Sequence, residues 1–244
     1  MTSREHGDVA PAFKNYTMAS QEVFRLMLGA LSRPAVPRAC DFGGLFATPP
    51  PMPATLAALA LTLADMTTPV WLSPSLTGAL GWLVFHRSVR TVADPGDACL
   101  VLAAAQNELP DLRSLDPGTP RHPDRSATVL LGGLPLDARA AVRSSSCGNG
   151  GGDIMSAESD APLLASGPGL REPILWSGHG LGRKFLDQWE ENRLAYPQGV
   201  DVFLAGERTL AGLPRTLGLR RQDRDFRQAG GPAGREKGQD DTAL

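Results

Sequence analysis

The segment Ser177-Gly178-His179-Gly180-Leu181-Gly182 follows the short apolar stretch Ile174-Leu175-Trp176 and precedes a helical pattern. Backbone N–H groups at such a helix start can hold an anion. The glycine spacing nevertheless fits neither GxGxxG nor GxxxxGK[ST], and no acidic residue about 20 positions on follows a second clear strand to receive a ribose. An ordinary connecting loop is the better reading. The four histidines, His6, His86, His122 and His179, stand at no recognised ligand spacing to one another or to a cysteine, so no metal site is expected. There is no GxSxG elbow, and Cys147 lies in a run too glycine-rich to preorganise a nucleophile. No self-contained catalytic set is therefore expected.

Lysines number only three, Lys14, Lys184 and Lys237, among 24 Lys and Arg. A pyridoxal-phosphate enzyme needs a lysine held in the interior at the cofactor aldehyde. Lys14 and Lys237 fall in terminal segments and Lys184 starts a helix with a surface pattern, so no such cofactor is expected. Arg25, Arg33, Arg208 and Arg215 are the candidates for holding an anion or a partner, although each also suits a helix-face, helix-end or hairpin-end charge. Asp65, at the end of a buried helix, and His86, at the end of a strand, occupy positions where α/β proteins often place functional groups. Capping is the plainer role for both.

Those side chains need a scaffold, and the composition allows one. With 244 residues, 42% of them hydrophobic and 20% charged, the chain can bury one sizeable core. A formal net charge of -2 gives no general attraction for nucleic acid or an anionic membrane. Three cysteines, Cys40, Cys99 and Cys147, leave one over in any pairing scheme. With no secretory signal pattern and no apolar run of membrane-spanning length, a cytoplasmic protein is expected.

Along the chain, Ser20 is the expected cap of a helix whose stripe is Phe24, Met27, Leu28 and Leu31, stopped by Pro34. A second helix runs from about Pro53 to Asp65 and, having almost no polar face, is packed on several sides. Strands are expected at 68–73, 83–87, 98–104, 128–131 and 162–166, a helix at 185–194, and an antiparallel hairpin at 200–205 and 209–213. This pattern gives a three-layer α/β architecture with a mixed sheet. The expected organisation is a flexible segment over 1–18, one domain over 19–219 with a low-complexity insertion at 144–160, and a disordered tail over 220–244.

Several phrases in order resemble the PhnH family, a subunit of the bacterial carbon-phosphorus lyase system. They are Phe24-Arg25 with Ser32-Arg33-Pro34, Leu63-Ala64-Asp65 before Thr68-Pro69-Val70-Trp71-Leu72, and Phe85-His86. They continue with Gly167-Pro168-Gly169, Phe185, Trp189, Asn192-Arg193, Pro197-Gln198-Gly199-Val200-Asp201 and Leu213-Pro214-Arg215-Thr216. Ala35 stands where the family pattern tends to have glycine, the 144–160 loop looks inserted, and the tail is extra. The resemblance implies a fold like that of pyridoxal-phosphate-dependent transferases without the cofactor.

It further implies a non-catalytic but required subunit acting with PhnG, PhnI and PhnL while an alkylphosphonate replaces the adenine of ATP. It implies membership of a core complex with PhnG, PhnI and PhnJ, and pairing as a homodimer. The family offers no established catalytic residues to carry over. An independent phosphonate- or nucleotide-binding transferase, or a phosphonate-responsive regulatory module, are the competing readings. For partner contact, the hairpin region 197–216 is the preferred surface, on the expectation that it lies partly at a sheet edge.

Overall fold

The computed structural model describes residues 9–136 (except 43, 45 and 47–50), 143–144, 161–177 and 179–221. In chain order its elements begin with α1 (Tyr16–Ser32), β1 (Arg38–Ala39), α2 (Ala54–Leu63), β2 (Pro69–Leu72), α3 (Leu80–Arg87) and β3 (Arg90–Thr91). Then come β4 (Leu100–Ala103), β5 (Thr128–Leu131), β6 (Arg143–Ser144), β7 (Leu163–Ser166), β8 (Ile174–Trp176) and α4 (Arg183–Leu194). Strands β9 (Asp201–Ala205), β10 (Thr209–Leu213) and β11 (Gly218–Arg221) complete the set.

The strands β4, β5, β9 and β10 are apolar almost throughout because both of their faces are covered. They form the middle of a seven-stranded mixed sheet ordered β1-β10-β9-β5-β4-β2-β3. The five strands from β9 to β3 are parallel to one another; β10 runs antiparallel to β9, and β1, antiparallel to β10, returns to the common direction. Side chains alternate strictly: Leu100, Leu102, Leu130, Phe203 and Leu210 enter one core with α1, α2 and α3. Val101, Val129, Leu131, Val202, Leu204 and Leu213 enter the other, against α4 and a four-stranded antiparallel sheet ordered β11-β7-β8-β6. This second core is anchored by Trp176 and Trp189, both fully buried, with the Trp189 indole donating to the Leu217 carbonyl at 2.9 Å. The α/β class, the mixed sheet and the layering on its two faces match the sequence expectation.

Four local expectations need correction. Residues 83–87 are not a strand but the last turns of α3, so His86 sits at a helix end. The reason is topological: β2 and β3 are parallel, and a parallel pair needs a crossover, which α3 supplies. Residues 9–18, placed by the sequence in a flexible segment, are packed. Phe13 is buried, Asn15 caps α1 through Met18 N–H at 3.2 Å, and the Tyr16 hydroxyl donates to the Leu61 carbonyl. Helix α1 thus begins before the expected Ser20 cap. At the other end Arg220 and Arg221 belong to β11, paired with Leu164 and Leu163, so the body extends past 219. Of the insertion expected at 144–160, all but Ser144, and of the tail expected at 220–244, the residues from 222, lie outside the described residues.

The hairpin is the fourth correction. Strand β10 is paired on one side by β9 and on the other by β1, and all five of its residues are buried. It completes the core, and on its outer side β1 pairs with Thr209 and Leu210 while the Ala35 N–H takes the Gly212 carbonyl.

Helix α1 reaches the sheet by its small residues. Val23, Met27 and Ala30 are its buried positions, and a Cβ built on Gly212 of β10 would lie 2.7 Å from the Ala30 carbonyl carbon. Such close approach turns the larger side chains of the expected stripe outward: Phe24 is 45% exposed and Leu28 51%. Ala35, just beyond the helix, is buried with φ 57 and donates its N–H to the Gly212 carbonyl at 3.1 Å. That left-handed backbone is the physical reason a glycine would suit the position.

Candidate functional site

The six side chains singled out from sequence do not converge. Asp65 follows α2 and closes a turn: one carboxylate oxygen accepts from Thr67 N–H, Thr67 Oγ1 and Thr68 Oγ1, each at 2.8 Å. The hydrogen bonds from Thr67 and then Thr68 hold its pKa down at about 2, below the usual 3.8. His86 donates from Nε2 to the Ala10 carbonyl at 2.9 Å, beside the Trp82 indole, which donates to the same oxygen at 2.7 Å. It fastens the incoming chain to α3. Arg208 pairs with Asp41 at the surface.

Arg215 is the most engaged of the six. Its guanidinium grips Asp201 at 3.2 and 2.6 Å, and donates to Ser126 Oγ at 2.7 Å and to the Pro123 carbonyl at 2.9 Å. With the side chain only 12% exposed, it is a staple across the amino ends of β5 and β9. Arg25 and Arg33 differ: both are exposed on α1 or at its end, and neither side chain has a hydrogen-bonding or ionic partner among the described residues.

The carboxyl ends of the parallel strands are the usual place for a ligand, above all where the strand order reverses. Here the chain passes from β2 outward to β3, then back across to β4, so the reversal lies between β2 and β4. The groups there are spent on one another. Ser73 Oγ accepts from Ala104 N–H at 3.1 Å, and Glu108 accepts from Ser75 Oγ at 2.7 Å. Hydrogen bonds from Ser73 and then Ser75 lower the Glu108 pKa, which makes its carboxylate a weaker proton acceptor than usual. Gln106 Oε1 accepts from Gly182 N–H at 3.1 Å, tying this end to the glycine-rich loop. His179 fixes that loop from inside: Nδ1 accepts from Leu181 N–H at 2.9 Å and Nε2 donates to the Ala161 carbonyl at 3.0 Å. The loop is a braced connection.

Two further chemistries fail on the same ground. Burial pushes the Cys40 thiol up to about 11, so it is no nucleophile. Among the described residues no group of three or more His, Cys, Asp and Glu could hold a metal ion. Lys184 is exposed on the first turn of α4, as its sequence pattern implies. No described helix is long and apolar enough to cross a membrane.

Large apolar side chains also face outward. Alongside Phe24 and Leu28, α1 exposes Met18 at 60%, and α3 exposes Val84 and Phe85 at 46% and 67%. Helix α2 lies between these two helices and has seven of its ten residues buried, so α1 and α3 present the outer surface of this layer. Aromatic and arginine side chains with few lysines mark contact surfaces, and Phe24, Arg25 and Leu28 carry that chemistry on one helix. Sequence reasoning picked these residues but pointed the apolar ones inward. Of the expected stripe Met27 is buried, and the face that turns inward is the one with Val23, Met27 and Ala30, where Ala30 meets Gly212.

A model of the family described as bacterial phosphonate metabolism protein (PhnH) matches residues 11–220, which spans both cores and every described strand but the last residue of β11. The chain is also 29% identical over 213 residues to the alpha-D-ribose 1-methylphosphonate 5-triphosphate synthase subunit PhnH of Rhizobium meliloti (strain 1021). That alignment covers 86% of this chain and 95% of the relative. With an α/β body matched almost from end to end, the chain belongs to the bacterial phosphonate metabolism (PhnH) family.

Proposed function

We propose that this chain is a non-catalytic but required subunit of a multi-protein assembly that transfers ribose 5-triphosphate from ATP to an alkylphosphonate. The relative's role as a synthase subunit supports the assembly, and the internally spent polar groups support the absence of a catalytic set. The observation that carries the reading is the outward face of α1, where Phe24 and Leu28 stand half exposed beside Arg25, which has no partner among the described residues. A large apolar side chain gains roughly 1.5–3 kcal/mol when fully buried, so such a face is stabilised by a partner. The partners in this proposal are PhnG, PhnI and PhnJ, with PhnL acting beside them, and the chain pairs with a second copy in a cytoplasmic complex. The layered α/β body is then a pyridoxal-phosphate-transferase-like scaffold used for contact and not for cofactor chemistry.

The test replaces Phe24 and Leu28 together by aspartate in a strain expressing the neighbouring subunits. Co-purification is expected to fall sharply while the melting temperature of the isolated protein stays within a few degrees, since both side chains already face outward. Retained co-purification would remove α1 from the interface.

A further inference from the structure

On the outermost strand β1, Arg38 pairs with Leu210, whose side chain enters the core beneath α1. Directly paired residues share a face of the sheet, so the Arg38 side chain rises beside α1. It ends in the notch left by Gly29: a Cβ built there would lie 3.2 Å from both Cζ and Nη1 of the guanidinium and 3.5 Å from Nε. The seat exists because position 29 has no side chain. It supplies no acceptor, however. Nε is buried without a hydrogen-bond partner, and Arg38 forms no ion pair among the described residues. A guanidinium cannot shed its proton to escape the cost, and a cation withdrawn from water is normally paired.

The charges around it sharpen the demand. Arg25 lies one turn before Gly29 and Arg33 caps the helix one turn after it, both exposed and without a partner among the described residues. The one carboxylate of α1, Glu22, is about 10 Å back along the axis from Gly29. Asp41, close in sequence to Arg38, is paired with Arg208. Three arginines thus gather on one side of a helix in a chain whose net charge is -2. We infer that Arg38, with Arg25 beside it, receives a carboxylate from the protein that covers α1. The occupant is a protein surface and not a free anion, because the same helix continues the site with apolar groups. Leu28 and Gly29 are three and four residues on from Arg25, so Arg25 stands between the apolar pair Phe24 and Leu28 and the Arg38 guanidinium. A small oxyanion would engage the arginines and leave Phe24 and Leu28 in water. A partner with an aspartate or glutamate at the edge of an apolar patch covers both, and its two oxygens match the parallel N–H groups of a guanidinium. The inference rests on the reading of α1 as the docking face.

The experiment measures binding of purified PhnG, PhnI and PhnJ to the immobilised full chain at low and at high salt. Arg38→Met keeps the apolar stem and removes the charge. It should weaken binding roughly tenfold, the size of one charge-assisted contact, and flatten the salt dependence. The melting temperature of the isolated variant should stay within a few degrees, since the free protein loses no bond. Arg90→Met, on the exposed β3 at the opposite edge of the sheet, should change nothing. Full binding by Arg38→Met, or an equal loss in Arg90→Met, would overturn the inference. A binding loss accompanied by early melting would reduce Arg38 to a structural filler and overturn it as well. So would saturable binding of inorganic phosphate to the isolated chain that Arg38→Met abolishes, which would make this a site for a free anion. If aspartates at Phe24 and Leu28 abolish binding while Arg38→Met does not, α1 remains the docking face and only the carboxylate is lost. If neither weakens binding, or the unaltered chain does not bind, both readings fall.

Discussion

Replacing Arg215 by alanine should be among the most damaging single changes outside the apolar cores. The guanidinium makes two contacts to Asp201, one to Ser126 Oγ and one to the Pro123 carbonyl, and approaches the Pro197 carbonyl at 3.4 Å. Truncation leaves the Asp201 carboxylate, 26% exposed, with the Arg215 backbone N–H at 2.8 Å as its remaining donor from this residue. Breaking a buried pair from one side costs about 3–5 kcal/mol, and the residual exposure here places the loss near the lower end, about 3 kcal/mol. At roughly 2–4 °C per kcal/mol for a chain of this size, the melting temperature should fall by about 6–12 °C. Urea unfolding followed by tryptophan fluorescence measures the loss directly. A cycle with Asp201→Ala should be strongly non-additive, because the second substitution removes the carboxylate the first one strands. A loss below about 0.5 kcal/mol, the usual size for a surface substitution, or an additive cycle, would refute the staple. It would also return Arg215 to the free cations available for a ligand.

Asp65 should contribute stability that is fully present above its unfolded pKa of 3.8 and is lost as pH falls through about 2, because its folded pKa is the lower one. The stability gap between the native protein and Asp65→Ala should accordingly shrink between pH 5 and pH 2, and a gap constant over that range would contradict the turn's role. In a Cys147→Ser background at pH 8, an alkylating reagent should label the exposed Cys99 rapidly and the buried Cys40 only slowly; equal rates would show that Cys40 is not protected. A chain ending at Leu219 should be less stable than one ending at Arg221 by about 1–2 kcal/mol, since it loses the pairing of Arg220 and Arg221 with β7. Identical urea midpoints would mean that β11 ends earlier.

The sheet was readable because its strands are apolar on both faces and so announce burial without ambiguity. The run around Leu100–Ala103 and the Val202–Leu213 hairpin are the clearest cases. Short elements were not: β1 has two residues and owes its existence to Leu210 and Thr209 across from it. Residues 83–87 misled because three apolar residues, Leu83 to Phe85, are too short a run to show a period of their own, and only the parallel pairing of the neighbouring strands requires a helix there. Asp65 does follow the buried helix α2, whereas His86 ends a helix and not a strand, and a sequence does not display that Asp65 faces Thr67, or that His86 meets Ala10, 76 residues earlier. Phe24 and Leu28 were read as core for a related reason. Helical periodicity fixes which residues share a face, and the packing partner decides which face goes inward.

The contact between Gly212 and Ala30 has a consequence for assembly. With no side chain between backbone and backbone, the height of α1 above the sheet is set by atoms that cannot change rotamer, and a single added carbon at position 212 must lift or tilt the whole helix. A partner that rests on both α1 and α3 reads the step between two helix crests. The missing methyl group at 212 therefore works as a gauge: Gly212→Ala changes nothing on the exposed surface, yet it should alter the relief that a neighbouring subunit must fit.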